Sequence, residues 1–229
     1  MDRKIAKDSS LGQLARSISQ IHYGLDAQEY APIDKNVARQ ALGLPDDQKM
    51  VVGFSCLDFN DKRKGARILI QALKGLPEQT RNKLKLVVLG GGNWPSIDLN
   101  MEIVSLGATS NSRYQSIFYS SLDVFVLAST SETFGNVVIE SMSCKTPVIA
   151  FGCGGPEDTV ANGDTGFLIP TSDDGKGIGE KIQWMLDNSS LHQKMGDAAR
   201  KRVIERFDSR VMAENYLQLF ERLVVERSQ

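Results

Sequence analysis

From Lys49 onward, short runs of apolar and β-branched residues alternate with longer stretches whose apolar positions recur three and four residues apart. The runs suit strands buried on both faces, and the stretches suit helices laid over them. The rhythm predicts an α/β, Rossmann-like fold, with a parallel sheet and helices on both faces, ending in C-terminal helices. Strands are expected at 50–55, 85–89, 103–107, 123–127, 146–150 and 166–170. Helices are expected where Ile68, Leu69, Ala72, Leu73 and Leu76 line up, and at 114–120, 136–144, 157–161, 177–186, 190–206 and 210–227. The last carries Ala213, Tyr216, Leu217, Phe220, Leu223 and Val224 on one side, a stripe that requires a surface to cover. Before the first strand, Leu11, Leu14, Ala15 and Ile18 suggest a weak helix, with no complete βαβ unit around it. The expected organisation is an interdomain segment over 1–20, a Rossmann-like domain over 21–207 and a C-terminal helix over 208–229.

With 229 residues, 41% of them hydrophobic, the chain can build one sizeable core. Its 27 basic and 28 acidic residues leave a formal charge of -1, which removes any global argument for a nucleic-acid partner. Cys56, Cys144 and Cys153 form no CxxC pair and stand near no histidine, so neither a zinc site nor a disulfide framework is expected. A cytoplasmic setting fits that pattern. No apolar run is long enough for a membrane span. His22 and His192 read as surface or boundary residues, and Trp94 as a loop residue covering the sheet edge.

The chemistry gathers where strands run into Gly- or Ser-rich loops and then into helices, because such exits present unpaired backbone N–H groups along one sheet edge. Three exits qualify: the charged loop ending at Lys64, the Leu106-Gly107-Ala108 exit, and the loop from Ser131 to Asn136. A lysine at the first and helix amides at the last would clamp a diphosphate from two sides. Glu132 and Glu140 flank the same helix start. Ionised carboxylates only accept hydrogen bonds, so each suits a pair of neighbouring sugar hydroxyls. Gly53 and Gly90 to Gly92 do not form the GxGxxG of a dinucleotide-dependent dehydrogenase.

The run from Ser129 to Ala150, with Glu132-Thr133-Phe134-Gly135-Asn136 and Glu140 inside it, resembles the signature of the family-4 retaining glycosyltransferases of GT-B fold. The resemblance continues through Gly154-Gly155-Pro156-Glu157 and Asn162-Gly163-Asp164-Thr165-Gly166, and upstream through Tyr23-Gly24-Leu25-Asp26, Lys64-Gly65, Leu89-Gly90-Gly91-Gly92 and Leu106-Gly107. It implies the C-terminal, donor-binding half of such an enzyme, taking a nucleoside-diphosphate sugar and using neither metal nor cofactor. By this likeness Glu140 holds the ribose hydroxyls and Glu132 approaches the transferred sugar. The amides of Thr133, Phe134, Gly135, Asn136 and Val137 receive the diphosphate, Lys64 neutralises the leaving group, and Gly107, Ala108 and Thr109 flank the base. Family members carry an arginine after the first strand where this chain has Gly53-Phe54-Ser55, and Arg63 is the expected substitute.

The acceptor, a glycan or lipid-linked sugar, would be held by an N-terminal domain that this sequence does not encode. That domain would also provide any peripheral attachment to the inner face of the membrane, and the fragment alone is expected to bind without efficient turnover. The competing readings are a GT-B nucleotide-sugar epimerase and a non-catalytic nucleotide-binding module.

Overall fold

The computed structural model describes residues 3–15, 17–44, 48–92, 94–95 and 98–227. Six strands form one sheet: β1 (Met50–Asp58), β2 (Leu84–Gly91), β3 (Glu102–Ser105), β4 (Val124–Leu127), β5 (Val148–Phe151) and β6 (Gly166–Ile169). Their order is β3-β2-β1-β4-β5-β6, and every neighbouring pair is parallel. Between β1 and β4 the winding reverses, opening a crevice at the carboxyl ends of these two strands, the position where such sheets bind ligands.

The helices are α1 (Arg3–Asp8), α2 (Ser10–Leu14), α3 (Lys35–Ala41), α4 (Ala66–Lys74), α5 (Glu78–Arg81), α6 (Ser112–Ser121), α7 (Asn136–Ser143), α8 (Gly155–Thr159), α9 (Lys176–Asp187), α10 (Ser189–Arg206) and α11 (Ser209–Arg227). A 3-10 turn covers Lys62–Lys64. Alternate strand residues face opposite layers. On one face Val52, Phe54, Val88 and Val126 pack beneath Leu69 and Leu73 of α4 and Ile178 and Ile182 of α9. On the other, Val51, Val87, Phe125 and Leu127 meet Phe118 of α6, Val138 and Met142 of α7 and Val203 of α10. Trp94 packs edge-on against Phe54 and Phe59 in the first layer.

A buried carboxylate ties the start of the sheet together. Asp123, 8% exposed, accepts hydrogen bonds from Lys35 Nζ at 2.6 Å, Arg39 Nη2 at 2.6 Å and the Val51 amide at 2.7 Å. Burial pushes its pKa up, yet the charges of Lys35 and Arg39 and the hydrogen bonds outweigh that and hold it below the usual carboxylate value.

The chain departs from the sequence-based expectation at its ends. The N-terminal helices stop at Leu14, so Ile18 lies outside them, and the Leu11 side chain lies outside the described residues. The apolar stripe of α11 is uncovered: Leu217 and Phe220 are each 58% exposed and Val224 65%. Among the described residues, no helix is long and apolar enough to cross a membrane.

Candidate functional site

The crevice is built by three loops drawn together at the carboxyl edge of β1 and β4. The turn after β1 is fixed by Asp61, whose side chain accepts the Arg63 amide, and it ends at Gly65 in the left-handed region with φ 77°. A Cβ on Gly65 would lie 1.9 Å from the Ala128 carbonyl oxygen, so only glycine lets this turn lie against the end of β4. The Thr130 amide then donates to the Arg63 carbonyl at 2.9 Å, stitching the two loops together. On the other side, the Gly155 amide donates to the Glu132 carbonyl at 3.4 Å. A Cβ on Gly155 would come within 2.1 Å of the Phe134 oxygen, and without one the β5–α8 loop closes onto the β4–α7 loop.

This stitching brings together side chains 68 positions apart. Lys64 Nζ lies 2.7 Å from Glu132 Oε1, with the two side chains 32% and 12% exposed. Just beyond them α7 begins at Gly135, whose φ of 78° sets the entry of the chain, and no side chain caps the helix. The first turn therefore presents backbone N–H groups and the positive end of the helix dipole toward the crevice. Thr133 and Asn136 are exposed at this mouth, and Gly135 and Val137 are partly so. The Phe134 ring is turned inward, 7% exposed, against His22, Tyr23 and Phe207, leaving only its backbone for a ligand.

Glu140 stands on the second turn of α7, half-buried, and accepts a hydrogen bond from the Tyr119 phenol at 2.7 Å. Burial raises the pKa of Glu140, and the phenol partly offsets this by stabilising the charged form. The same burial pushes the Tyr119 phenol well above its ordinary value, so it stays a donor.

Gly107, Ala108 and Thr109 leave β3 at the far end of the crevice, where the Gly90 amide donates to the Gly107 carbonyl at 2.9 Å. Ala108 and Thr109 line a slot of about 100 Å³ shared with Tyr119 and Val137. Larger concavities, of about 560 Å³ beside α4 and α9 and about 530 Å³ beside Lys145 and His192, are lined by none of the residues predicted to bind or act on the donor.

Arg63 lies within electrostatic range of Glu132 but hydrogen-bonds elsewhere. Its guanidinium pairs with Asp61 at 2.8 Å and its side chain is 73% exposed, because the aspartate two residues before it is the nearer partner. Phe54, in the Gly53-Phe54-Ser55 stretch, is fully buried in the core. Lys64 is thus the cation that meets Glu132. Sequence reasoning missed Tyr119 and Gln115. The available signal was the inward face of α6, which carries Gln115, Ser116 and Tyr119 where a packing helix would carry aliphatic residues. Among the described residues, no group of three or more His, Cys, Asp or Glu is placed to hold a metal ion.

Known proteins share this sequence pattern and this fold. The family model "Glycosyl transferases group 1" matches residues 34–202. The capsular polysaccharide biosynthesis glycosyltransferase CapM of Staphylococcus aureus is 32% identical over 174 residues, covering 72% of this chain and 44% of CapM. Sucrose-phosphate synthase of Thermosynechococcus elongatus superposes with a TM-score of 0.80 at 27% identity, over 97% of this chain and 56% of that one. Anabaena HepE, solved in complex with UDP, shares the fold with a TM-score of 0.77 at 22% identity, over 93% of this chain and 62% of HepE. The chain spans about half the length of these relatives. Its motifs, its sheet order and the extent of the family match place it in one family: the chain belongs to the group 1 glycosyl transferases.

Proposed function

We propose that this chain is the donor-binding half of a retaining, metal-independent glycosyltransferase that takes a nucleoside-diphosphate sugar. The observation that carries the reading is the Lys64–Glu132 pair, 2.7 Å apart at the uncapped start of α7. A cation facing a helix N-terminus is a receptor for a diphosphate, and a carboxylate within reach of that cation is placed for hydroxyls of the attached sugar. As the sugar–phosphate bond breaks, negative charge grows on the departing diphosphate. Lys64 and the amides from Thr133 to Val137 stabilise that charge more than the ground state, which is where they accelerate transfer. Glu140, oriented by Tyr119, accepts the ribose hydroxyls. The exposed Arg63 can add a second positive charge only by leaving Asp61.

The acceptor, a glycan or lipid-linked sugar, then sits on a second domain that closes over the crevice. The test is calorimetric titration of the chain with nucleoside diphosphates. Lys64→Ala and Glu140→Ala should each weaken binding at least tenfold in a chain that still unfolds cooperatively, with the lower melting temperature in Glu140→Ala, which leaves the buried Tyr119 phenol unpaired. Wild-type affinity in both variants overturns the assignment.

A further inference from the structure

We infer that the groove between residues 19–22, the end of α10 and α11 binds the phosphate group of a small phosphate ester, at a site separate from the donor crevice. The inference does not depend on the donor-binding reading.

The first argument is charge. The groove, of about 400 Å³, is lined by Arg206 and Arg222, by the carboxamides of Gln20, Asn215 and Gln218, and by Ser19. Each of these side chains carries a hydrogen-bond donor, and among the described residues no acidic side chain lines the groove. The concavity beside Lys145 and His192 is different. There Asp34, Asp123 and Asp197 stand in the lining, and Lys35 and Lys145 are already paired with Asp123 at 2.6 Å and Asp197 at 2.8 Å. A groove that offers donors and cations without carboxylates is complementary to an anion.

The second argument is that the two guanidiniums are free to take one. Arg206 is exposed, and among the described residues its side chain makes no hydrogen bond or ion pair. Arg222 donates from Nη2 to the neutral Ser19 Oγ at 3.0 Å. Glu226, one turn further along α11, reaches Arg222 Nε only at 3.8 Å, with the two side chains 53% and 60% exposed, so water screens that pair. Gln20 gives one amide hydrogen to Asp158 Oδ2 at 3.2 Å and keeps the second. Arg202 adds a further positive charge: burial and then the charge of Arg206 push its guanidinium below the ordinary value, while Asp164 opposes them. An anion between Arg206 and Arg222 relieves this repulsion, and the forked N–H groups of arginine match phosphate oxygens.

The third argument is form. The Arg222–Ser19 hydrogen bond spans 203 positions and holds the groove together without a ligand, which lowers the ordering cost of binding. Its volume falls within the roughly 300–1,000 Å³ of small-molecule sites, and Ile21 and Leu219 supply apolar contact for the body that carries the phosphate. None of the residues predicted to bind or act on the donor lines it.

The experiment titrates the chain with inorganic phosphate, glycerol 3-phosphate, glucose 6-phosphate and, in parallel, a nucleoside diphosphate by calorimetry. The proteins are the wild type, Arg206→Gln, Arg222→Gln and Lys64→Ala. At least one ester should bind more tightly than inorganic phosphate. Each arginine substitution should weaken that ester at least fivefold and leave the nucleoside diphosphate within twofold, whereas Lys64→Ala should leave the ester within twofold. Both arginines are exposed, so the unliganded variants should melt with the wild type. Absence of binding by both esters at ~10 mM overturns the inference. Ester binding that is lost in Lys64→Ala and kept in both arginine variants also overturns it, by assigning the phosphate to the crevice. An arginine effect that falls equally on the nucleoside diphosphate overturns the separation of the two sites, and inorganic phosphate binding as tightly as both esters overturns the ester assignment.

Discussion

Replacing Glu132 with glutamine should strengthen the binding of inorganic pyrophosphate, even though Glu132 belongs to the proposed site. In the ligand-free chain the positive charge of Lys64 is already engaged, with Nζ 2.7 Å from Glu132 Oε1. A diphosphate must compete for that charge and also approach a carboxylate. At an effective dielectric of about 20 the bare attraction at this distance is on the order of 6 kcal/mol. Lys64 is about one-third exposed, however, so water screens the pair, and losses of desolvation and side-chain freedom reduce the net contribution to about 1 kcal/mol. Releasing Lys64 should therefore raise pyrophosphate affinity about fivefold. The advantage should shrink when salt is raised toward ~1 M, where screening reaches a few ångströms. For a sugar nucleotide the same substitution removes the acceptor of sugar hydroxyls, so the extra affinity contributed by the sugar should fall. Calorimetry with pyrophosphate, a nucleoside diphosphate and its sugar conjugate separates these effects. Unchanged or weaker pyrophosphate binding in Glu132→Gln would show that Lys64 is not the diphosphate's cation.

The remaining predictions concern the frame around the site. Asp123→Asn removes the charge that pairs with Arg39 and Lys35, and should cost about 3 kcal/mol, lowering the melting temperature by about 6–12 °C at neutral pH. Because the folded pKa of Asp123 is depressed, its contribution is present above the ordinary value of 3.8 and is lost as pH falls through the folded value, so the two proteins should converge in acid. Gly65→Ala should destabilise by more than the roughly 1–2 kcal/mol of a left-handed residue, since its Cβ would overlap Ala128. It should also abolish diphosphate binding by displacing Lys64; retained affinity in a folded variant would count against the stitched-loop geometry. Phe220→Ser, on the uncovered face of α11, should change stability by no more than about 0.5 kcal/mol and reduce self-association measured by light scattering.

Most of the sheet was legible because its inner strands are buried on both faces and read as apolar runs, whereas the edge strand β3 is only partly buried. The boundaries shifted for local reasons: β1 runs three residues past Ser55 because Cys56 and Asp58 pair with Gly90 and Gly91 of β2, a pairing between strand ends that no single run reveals. Helix α3 left no pattern, since among its seven residues only Ala38 is buried. Lys64 and Glu132 could be named from their motifs and do meet, whereas the fate of Arg63 was decided by Asp61, whose turn-forming role competes for the guanidinium. Gln115 was invisible for a different reason. Its amide is oriented by Tyr30, 85 positions away, and side-chain orientation set across such a separation leaves no trace in local spacing.

At the rim of the domain, the Leu25 amide donates to the Phe207 carbonyl at 2.8 Å while the Leu25 carbonyl accepts from the Ser209 amide at 2.9 Å. Both peptide groups of one residue thus fasten the segment leading into the fold to the start of α11, a parallel bridge between two otherwise distant pieces of chain. Whatever torque reaches one piece is delivered to the other at the same pivot, so the two must swing as a single strap rather than as independent tethers. Hydrogen–deuterium exchange should accordingly report one shared opening rate for the amides of Leu25 and Ser209.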